Sequence, residues 1–292
     1  MAIFQKAYQG YNGPLSPPLQ RMKVIFRYAL DDVFRSRLFT AFFAICFLPS
    51  LGLLCVIYAY YNIDLLTQFD IPVEELMSID GTFFVLLMQY PQMFLIFLMV
   101  MAIGPTMISP DLRNNAMPLY LSRPINKGSY IIGKLLVLLV LGSLISWIPG
   151  LILIFLQIYL GEAGWLASNL NIPFASIVTS LFWIVSLSLL AFAISASVKW
   201  KAVARMFFFG IIFLGSAVGQ VIEQLFGGWS GNLVNLTTAM EVIMAGLYNT
   251  DRSQIPVASQ MPLWAAAMVF VIVSVISTII LTRRIRAFQV VS

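Results

Sequence analysis

The sequence predicts an all-α polytopic membrane protein. It has six transmembrane helices, an amphipathic interfacial helix ahead of them, a short cytoplasmic helix between the second and third, and short helices in an outer loop before the last. Three observations carry this reading. Six apolar runs, 38–61, 83–108, 131–160, 172–198, 206–226 and 262–282, each reach the roughly 20 residues that cross ~30 Å of hydrocarbon. Of the 292 residues 60% are hydrophobic and 10% charged, too little polar surface for a soluble domain. The third observation is where the charges fall.

Lys6, Arg21, Lys23, Arg27, Arg35 and Arg37 precede the first run. Arg113, Arg123, Lys127 and Lys134 follow the second, Lys199, Lys201 and Arg205 follow the fourth, and Arg283, Arg284 and Arg286 follow the sixth. The first, third and fifth connections hold Arg252 alone among the cations, and they collect Asp64, Asp70, Glu74, Glu75, Asp80, Glu162, Glu241 and Asp251. By the positive-inside rule both termini are cytoplasmic. The net charge of +5 therefore serves topology and anionic lipid headgroups, and no nucleic-acid partner is expected. No cleaved signal peptide is expected either, because six cations precede a first run too long for an h-region.

The cytoplasmic N-terminal segment is 1–37. Its first 18 residues are rich in Gly, Pro and Tyr and lack periodicity. Over 19–37, Leu19, Met22, Phe26, Leu30 and Val33 recur at helical spacing, while Lys23, Arg27, Asp31 and Arg35 line the opposite face. This is an amphipathic helix on the inner leaflet, with Arg27/Asp31 and Asp31/Arg35 four residues apart and placed for ion pairing. The acids Asp31 and Asp32 gain nothing from an acidic leaflet, which favours contact with a cytoplasmic partner over simple anchoring. Arg27, Asp31, Asp32 and Arg35 are its candidate functional residues.

In the six-helix domain, 38–282, Pro49, Pro91, Pro105 and Pro149 are expected to kink helices. Gly104, Gly142, Gly150, Ala191, Ala193, Ser195, Gly210, Gly215 and Gly219 mark close helix contacts, with Gly215 and Gly219 at dimer-motif spacing. Cys46 and Cys55 read as small buried apolar residues. Gln89, Gln92, Gln157 and Gln220 read as interhelical hydrogen-bond donors, with Gln92 also placed to line a path. Lys134 and Glu223 lie near span ends, so mid-membrane holds no charge, and this disfavours an ion-coupled carrier. The absence of histidine removes H-E-x-x-H zinc proteases, Ser/His intramembrane proteases and haem ligation through His.

In the outer loop, Thr238 precedes Glu241 by three residues ahead of Val242, a capping-box spacing that opens a short amphipathic helix. Asn235-Leu236-Thr237 matches a glycosylation sequon. Lys199-Trp200-Lys201 is explained by topology, with a second partner contact as the alternative. Residues 283–292 form a cytoplasmic tail.

The connection after the second run reads from Ser109 through Asp111, Leu112, Arg113, Asn114, Asn115, Ala116, Met117, Pro118, Leu119, Tyr120, Leu121, Ser122, Arg123, Pro124, Ile125, Asn126 and Lys127 to Gly133 and Lys134. Asn115 can cap a short helix carrying Pro118 in its first turn, and Pro124 stops it. Leu119, Tyr120 and Leu121 are then presented outside the bilayer, as if for another protein to cover.

This stretch resembles that of the permease subunits of ABC-2 type transporters: an acid and an Arg after the second span, Leu-Tyr-Leu-Ser-Arg-Pro-Ile, then a basic residue, a Tyr and Gly-Lys opening the third span. The whole layout is similar as well. After Asp111-Leu112-Arg113 the family often has a small residue, where this chain has Asn114 and Asn115, and Pro118 falls inside the expected helix. The resemblance implies that 116–122 is a coupling helix seated in a groove of a separate ATPase, with Asp111, Arg113, Leu119, Tyr120, Leu121, Arg123, Pro124 and Ile125 as coupling residues. It implies two ATPase copies, a second permease that is identical or homologous, export, and the inner membrane of a bacterium. The chain has no G-x-x-x-x-G-K-[ST] loop, so it holds no cofactor itself, and ATP and Mg²⁺ would be bound by the partner. The alternative is a membrane scaffold of an envelope machine that uses this architecture without passing a solute.

Overall fold

A computed structural model describes residues 17–62, 78–114, 127–250 and 260–287. These residues are helical with no strand among them, and six of the helices are long and apolar enough to cross a membrane. Helix α1 is Pro18–Phe34, opened by a proline whose missing N–H needs no partner there. The first span is two helices, α2 (Arg37–Ile45) and α3 (Leu48–Tyr60). The second, α4, is Gly81–Arg113, and the third is α5 (Lys127–Ile145) continued by α6 (Trp147–Leu160). The fourth and fifth are α7 (Asn171–Ser197) and α8 (Lys201–Phe226). A 3₁₀ turn, Ser230–Leu233, and α9 (Leu236–Tyr248) precede the last span, α10 (Leu263–Ala287).

Helices α4 and α7 form the centre. They pack along each other, and α7 also contacts α5, α9 and α10. The glycines that sequence marks as close contacts explain the intimacy: a Cβ on Gly104 would sit 2.7 Å from the Ala191 Cβ, and one on Gly142 would sit 2.8 Å from Ile184. Gly210 departs from that expectation. A Cβ there would meet only Leu214 of its own helix, at 3.9 Å.

The dimer-spaced pair is used inside the chain. Cβ atoms on Gly215 and Gly219 would lie 2.9 Å from the Val234 carbonyl and 2.7 Å from the Gly231 carbonyl, so α8 presses its glycine stripe onto the 3₁₀ turn that follows it. Of the cysteines, Cys46 is buried and Cys55 exposed, against the expectation that both are buried.

The prolines sit where the backbone ladder is interrupted. Pro49 and Pro149 fall in the first turns after breaks at Cys46–Phe47 and at Ser146, and Pro91 follows a π-helical stretch, Phe84–Gln89. At Pro105 another helix mends the ladder. The Ser195 hydroxyl of α7 donates to the Pro105 carbonyl at 2.9 Å and accepts from the Ser109 N–H at 2.9 Å, while Ser109 Oγ donates to the Ser195 carbonyl at 3.0 Å. A side chain inserted between i and i+4 partners is a recognised cause of kinking.

Buried glutamines tie the spans together. Gln89 Nε2 donates to Ser180 Oγ at 3.3 Å and its Oε1 accepts from Tyr248 at 3.2 Å. Gln92 donates to Ser50 at 3.3 Å and Gln157 to Tyr61 at 2.6 Å. Gln220, expected to join them, is exposed.

Helix α9 starts earlier than the capping box suggests. Asn235 is its N-cap, with Oδ1 accepting from the Thr238 N–H at 3.2 Å and from Ser216 Oγ at 2.8 Å. Glu241 is consequently mid-helix and buried. The sequon asparagine is 3% exposed, which leaves no room for a glycan.

Candidate functional site

The candidate site lies at the end of the bundle where α1, the close of α4 and the start of α5 meet. Of the coupling residues, Asp111 and Arg113 are described. Leu119, Tyr120, Leu121, Arg123, Pro124 and Ile125 lie in 115–126, outside the described residues.

Asp111 closes α4 and Lys134 lies two turns into α5, so the two ends of the 115–126 connection are brought together in space. Lys134 Nζ pairs with Asp111 Oδ2 and donates to the Met107 carbonyl, and the Tyr130 hydroxyl donates to the same carboxylate oxygen at 2.5 Å. Lys134 is 8% exposed. A lysine so enclosed is tolerated only when paired and hydrogen-bonded, and here both conditions are met. Its ammonium also lies 4.8 Å from the Tyr130 ring centroid. Asp111 thus turns inward to clamp α5 to α4.

Arg113, one turn-half further on, is exposed and stacks over Trp200 at 5.1 Å. This joins the end of α4 to the Lys199-Trp200-Lys201 connection, a contact that topology alone did not suggest. About three turns back along α4, Arg205 Nη2 donates to the Ala102 carbonyl at 2.7 Å.

Helix α1 packs on α5 at Gly133, where a Cβ would come within 3.0 Å of Ile25 and 3.2 Å of the Met22 carbonyl. Its inward face is Met22, Ile25, Phe26, Ala29, Leu30 and Val33, whereas Leu19, placed on that face by periodicity, is 74% exposed. The opposite face carries Arg27, Asp31, Asp32 and Arg35, all exposed. Among the described residues the ion pair formed is Arg35–Asp32 at 3.9 Å, three apart, in place of the four-apart pairs through Asp31. Asp32 also lies close enough to act electrostatically on Lys134, which links the exposed face of α1 to the clamp beneath.

A family model described as ABC-2 family transporter protein matches residues 23–288. The chain belongs to this family. The match runs from α1 through α10 and so takes in the clamp, the packed α1 and the 115–126 connection together. Comparison with the curated proteins finds no match. In this ABC-2 protein, Gly128 and Gly133-Lys134 have the spacing of a phosphate-binding loop, but they lie inside the continuous helix α5 and Leu135 stands where Ser or Thr would be needed. The backbone N–H groups are spent in the helix, and the lysine is spent on Asp111.

Sequence reading named Asp111 and Arg113 as coupling residues but not the contacts they make with Tyr130, Lys134 and Trp200. The signal was available in the opposite charges that flank the connection symmetrically.

Proposed function

We propose that this ABC-2 protein is the permease subunit of an ABC exporter, in which two permeases form the membrane path and two copies of a separate ATPase drive it. The second permease is identical or homologous, and ATP and Mg²⁺ are held by the ATPases. The chain sits in the inner membrane of a bacterium with both termini cytoplasmic, the α1 cations facing anionic lipid; the alternation of charge along the sequence supports this orientation.

The observation that carries the reading is the Asp111–Lys134–Tyr130 clamp at the root of the 115–126 connection. A coupling helix transmits force only if its ends are fixed to the spans it moves. Here the two ends are fixed to each other, so a push on Leu119, Tyr120 or Leu121 moves α4 and α5 as one body. The same push reaches α1 through the Ile25–Gly133 contact. The Ser195 bridge then passes motion of α4 to α7.

The test is co-purification of the tagged permease with the ATPase from its own cells. Changing Tyr120→Ala together with Arg123→Asp is expected to abolish recovery of the ATPase while the permease still folds and inserts. Undiminished recovery and transport in the double variant would overturn the assignment.

A further inference from the structure

Between the middle of the bundle and the end away from the clamp, a cavity of about 290 Å³ opens between α4 and α8, lined by Tyr90, Phe94, Phe97, Trp183, Phe213 and Thr237 among others. Five of its nine lining residues are aromatic, and the others include Met93 and Ile212. Phe97 lies edge-on to Phe213 at 6.0 Å and stacks on Phe208 at 5.7 Å, and the Trp183 indole is fixed by donating to the Met93 carbonyl at 3.0 Å. Phe94 and Phe213 are exposed and stand at the mouth.

Two buried polar atoms, one on the lining and one behind it, have no partner. The Tyr90 hydroxyl, on the lining, is buried and makes no hydrogen bond, and the same holds for Glu241 Oε2. Glu241 is 7% exposed and stands behind the lining rather than on it, one turn beyond Thr237 on the same face of α9 and close enough for its charge to act on the Tyr90 phenol. A buried carboxylate oxygen without a donor is costly, as is a buried hydroxyl. An aromatic box with an acid beside it is the arrangement that receives an organic cation, because ring faces and carboxylate attract the same charge.

We propose that this cavity binds a small hydrophobic cation, an aryl or alkyl ammonium solute, with the rings enclosing its apolar body and Glu241 as its counter-charge. Calling that solute a cargo rests on the permease reading; the binding itself does not. Glu241 has no other evident use. It caps nothing, pairs with no cation among the described residues, and lies far along the chain from the clamp. Burial pushes its carboxyl up to about 7, so the acid can take up negative charge near neutrality once a cation arrives.

The test uses the full chain, purified without any ATPase in dodecylmaltoside, and radiolabelled benzyltrimethylammonium as probe. Neopentylbenzene, which replaces the ammonium nitrogen with carbon, is the neutral competitor of the same shape. Saturable binding is expected, with the neutral isostere displacing the label about tenfold less well, as one ion pair or cation–π contact of about 1.4 kcal/mol would give. Glu241→Gln is expected to lower cation affinity about tenfold and leave that of the neutral isostere unchanged, while Phe213→Ala weakens both.

Equal affinity of the two molecules for the wild-type chain, or no saturable binding, would overturn the proposal even if Glu241→Gln failed to fold. Adding phosphatidylethanolamine is expected to leave binding unchanged; competition by it would assign the site to a lipid headgroup and overturn the small-solute assignment. Because no ATPase is present, loss of the permease reading would leave this result intact, and the reverse also holds.

Discussion

Replacing Lys134 with Met removes the cation from the Asp111–Lys134–Tyr130 clamp while keeping most of its volume. The Asp111 carboxylate then retains only Tyr130, and the Met107 carbonyl loses the donor it shares. Breaking a buried ion pair from one side costs about 3–5 kcal/mol, most of it the penalty on the charge left behind. Both side chains are largely enclosed, so solvent screens the loss little. Asp111→Leu alone leaves Lys134 with a single carbonyl and is expected to cost about as much. The double variant Asp111→Leu, Lys134→Met strands no charge and is expected to recover to within about 2 kcal/mol of wild type, the remainder being the lost Tyr130–Asp111 and Lys134–Met107 hydrogen bonds. Reversible unfolding of the four proteins in mixed micelles gives the coupling energy directly, expected at about 4 kcal/mol or more from two single losses of about 3 kcal/mol or more and a double loss of about 2 at most. Additive single-variant effects, or single effects below about 1 kcal/mol, would show that the contact clamps nothing. The double variant should fold, and on the permease function proposed above it should show weakened coupling to ATP hydrolysis, since an apolar pair lacks the geometry that fixes the connection's two ends.

Three further outcomes follow from the same contacts. Burial raises the Glu241 carboxyl from 4.5 to about 7, so its favourable contribution is complete below pH 4.5 and lost as pH rises through 7. Glu241→Gln should therefore match wild type at pH 4.5 and exceed it at pH 8 by up to about 3 kcal/mol; a wild-type melting temperature that is flat across that interval would contradict this. Gly219→Val places a side chain where a Cβ already meets the Gly231 carbonyl at 2.7 Å, and should cost about 2–4 kcal/mol and loosen the 3₁₀ turn, read by faster amide exchange over Ser230–Leu233. Asn235→Ala removes the α9 cap and orphans Ser216, for about 1–2 kcal/mol in the same unfolding assay, and the wild-type chain expressed in a glycosylating host should show no mass increase at the sequon.

Span number and helical class were legible because both follow from composition averaged over some twenty residues, where single errors cancel. Positions that depend on a partner in space were not. Periodicity put Leu19 on the packed face of α1, but the helix has barely begun at Pro18 and no span reaches beneath its first turn. The Thr238/Glu241 spacing imitated a helix start because the two residues do lie three apart on a helix, one that Asn235 had already opened. Gly215 and Gly219 have the spacing that brings two helices together, and the surface that met them was a turn of the same chain. At the candidate site the sequence displayed the charges on either side of 115–126, yet only coordinates reveal that Asp111 and Lys134 face each other. Ser195 gave no warning at all, since a serine among small residues in a span reads as packing and its bonds to Pro105 and Ser109 are a property of two helices.

That serine divides the second span into two levers. Neither Pro105 nor Pro110 has an N–H to give, and the Ser109 N–H is spent across the gap. The arm of α4 from Met107 to Arg113 is thereby tied to α7 by the Ser109–Ser195 bonds as well as to the rest of its own helix. The two hydroxyl oxygens lie 3.0 Å apart and either can donate to the other, so this joint between α4 and α7 has more than one hydrogen-bonded arrangement open to it.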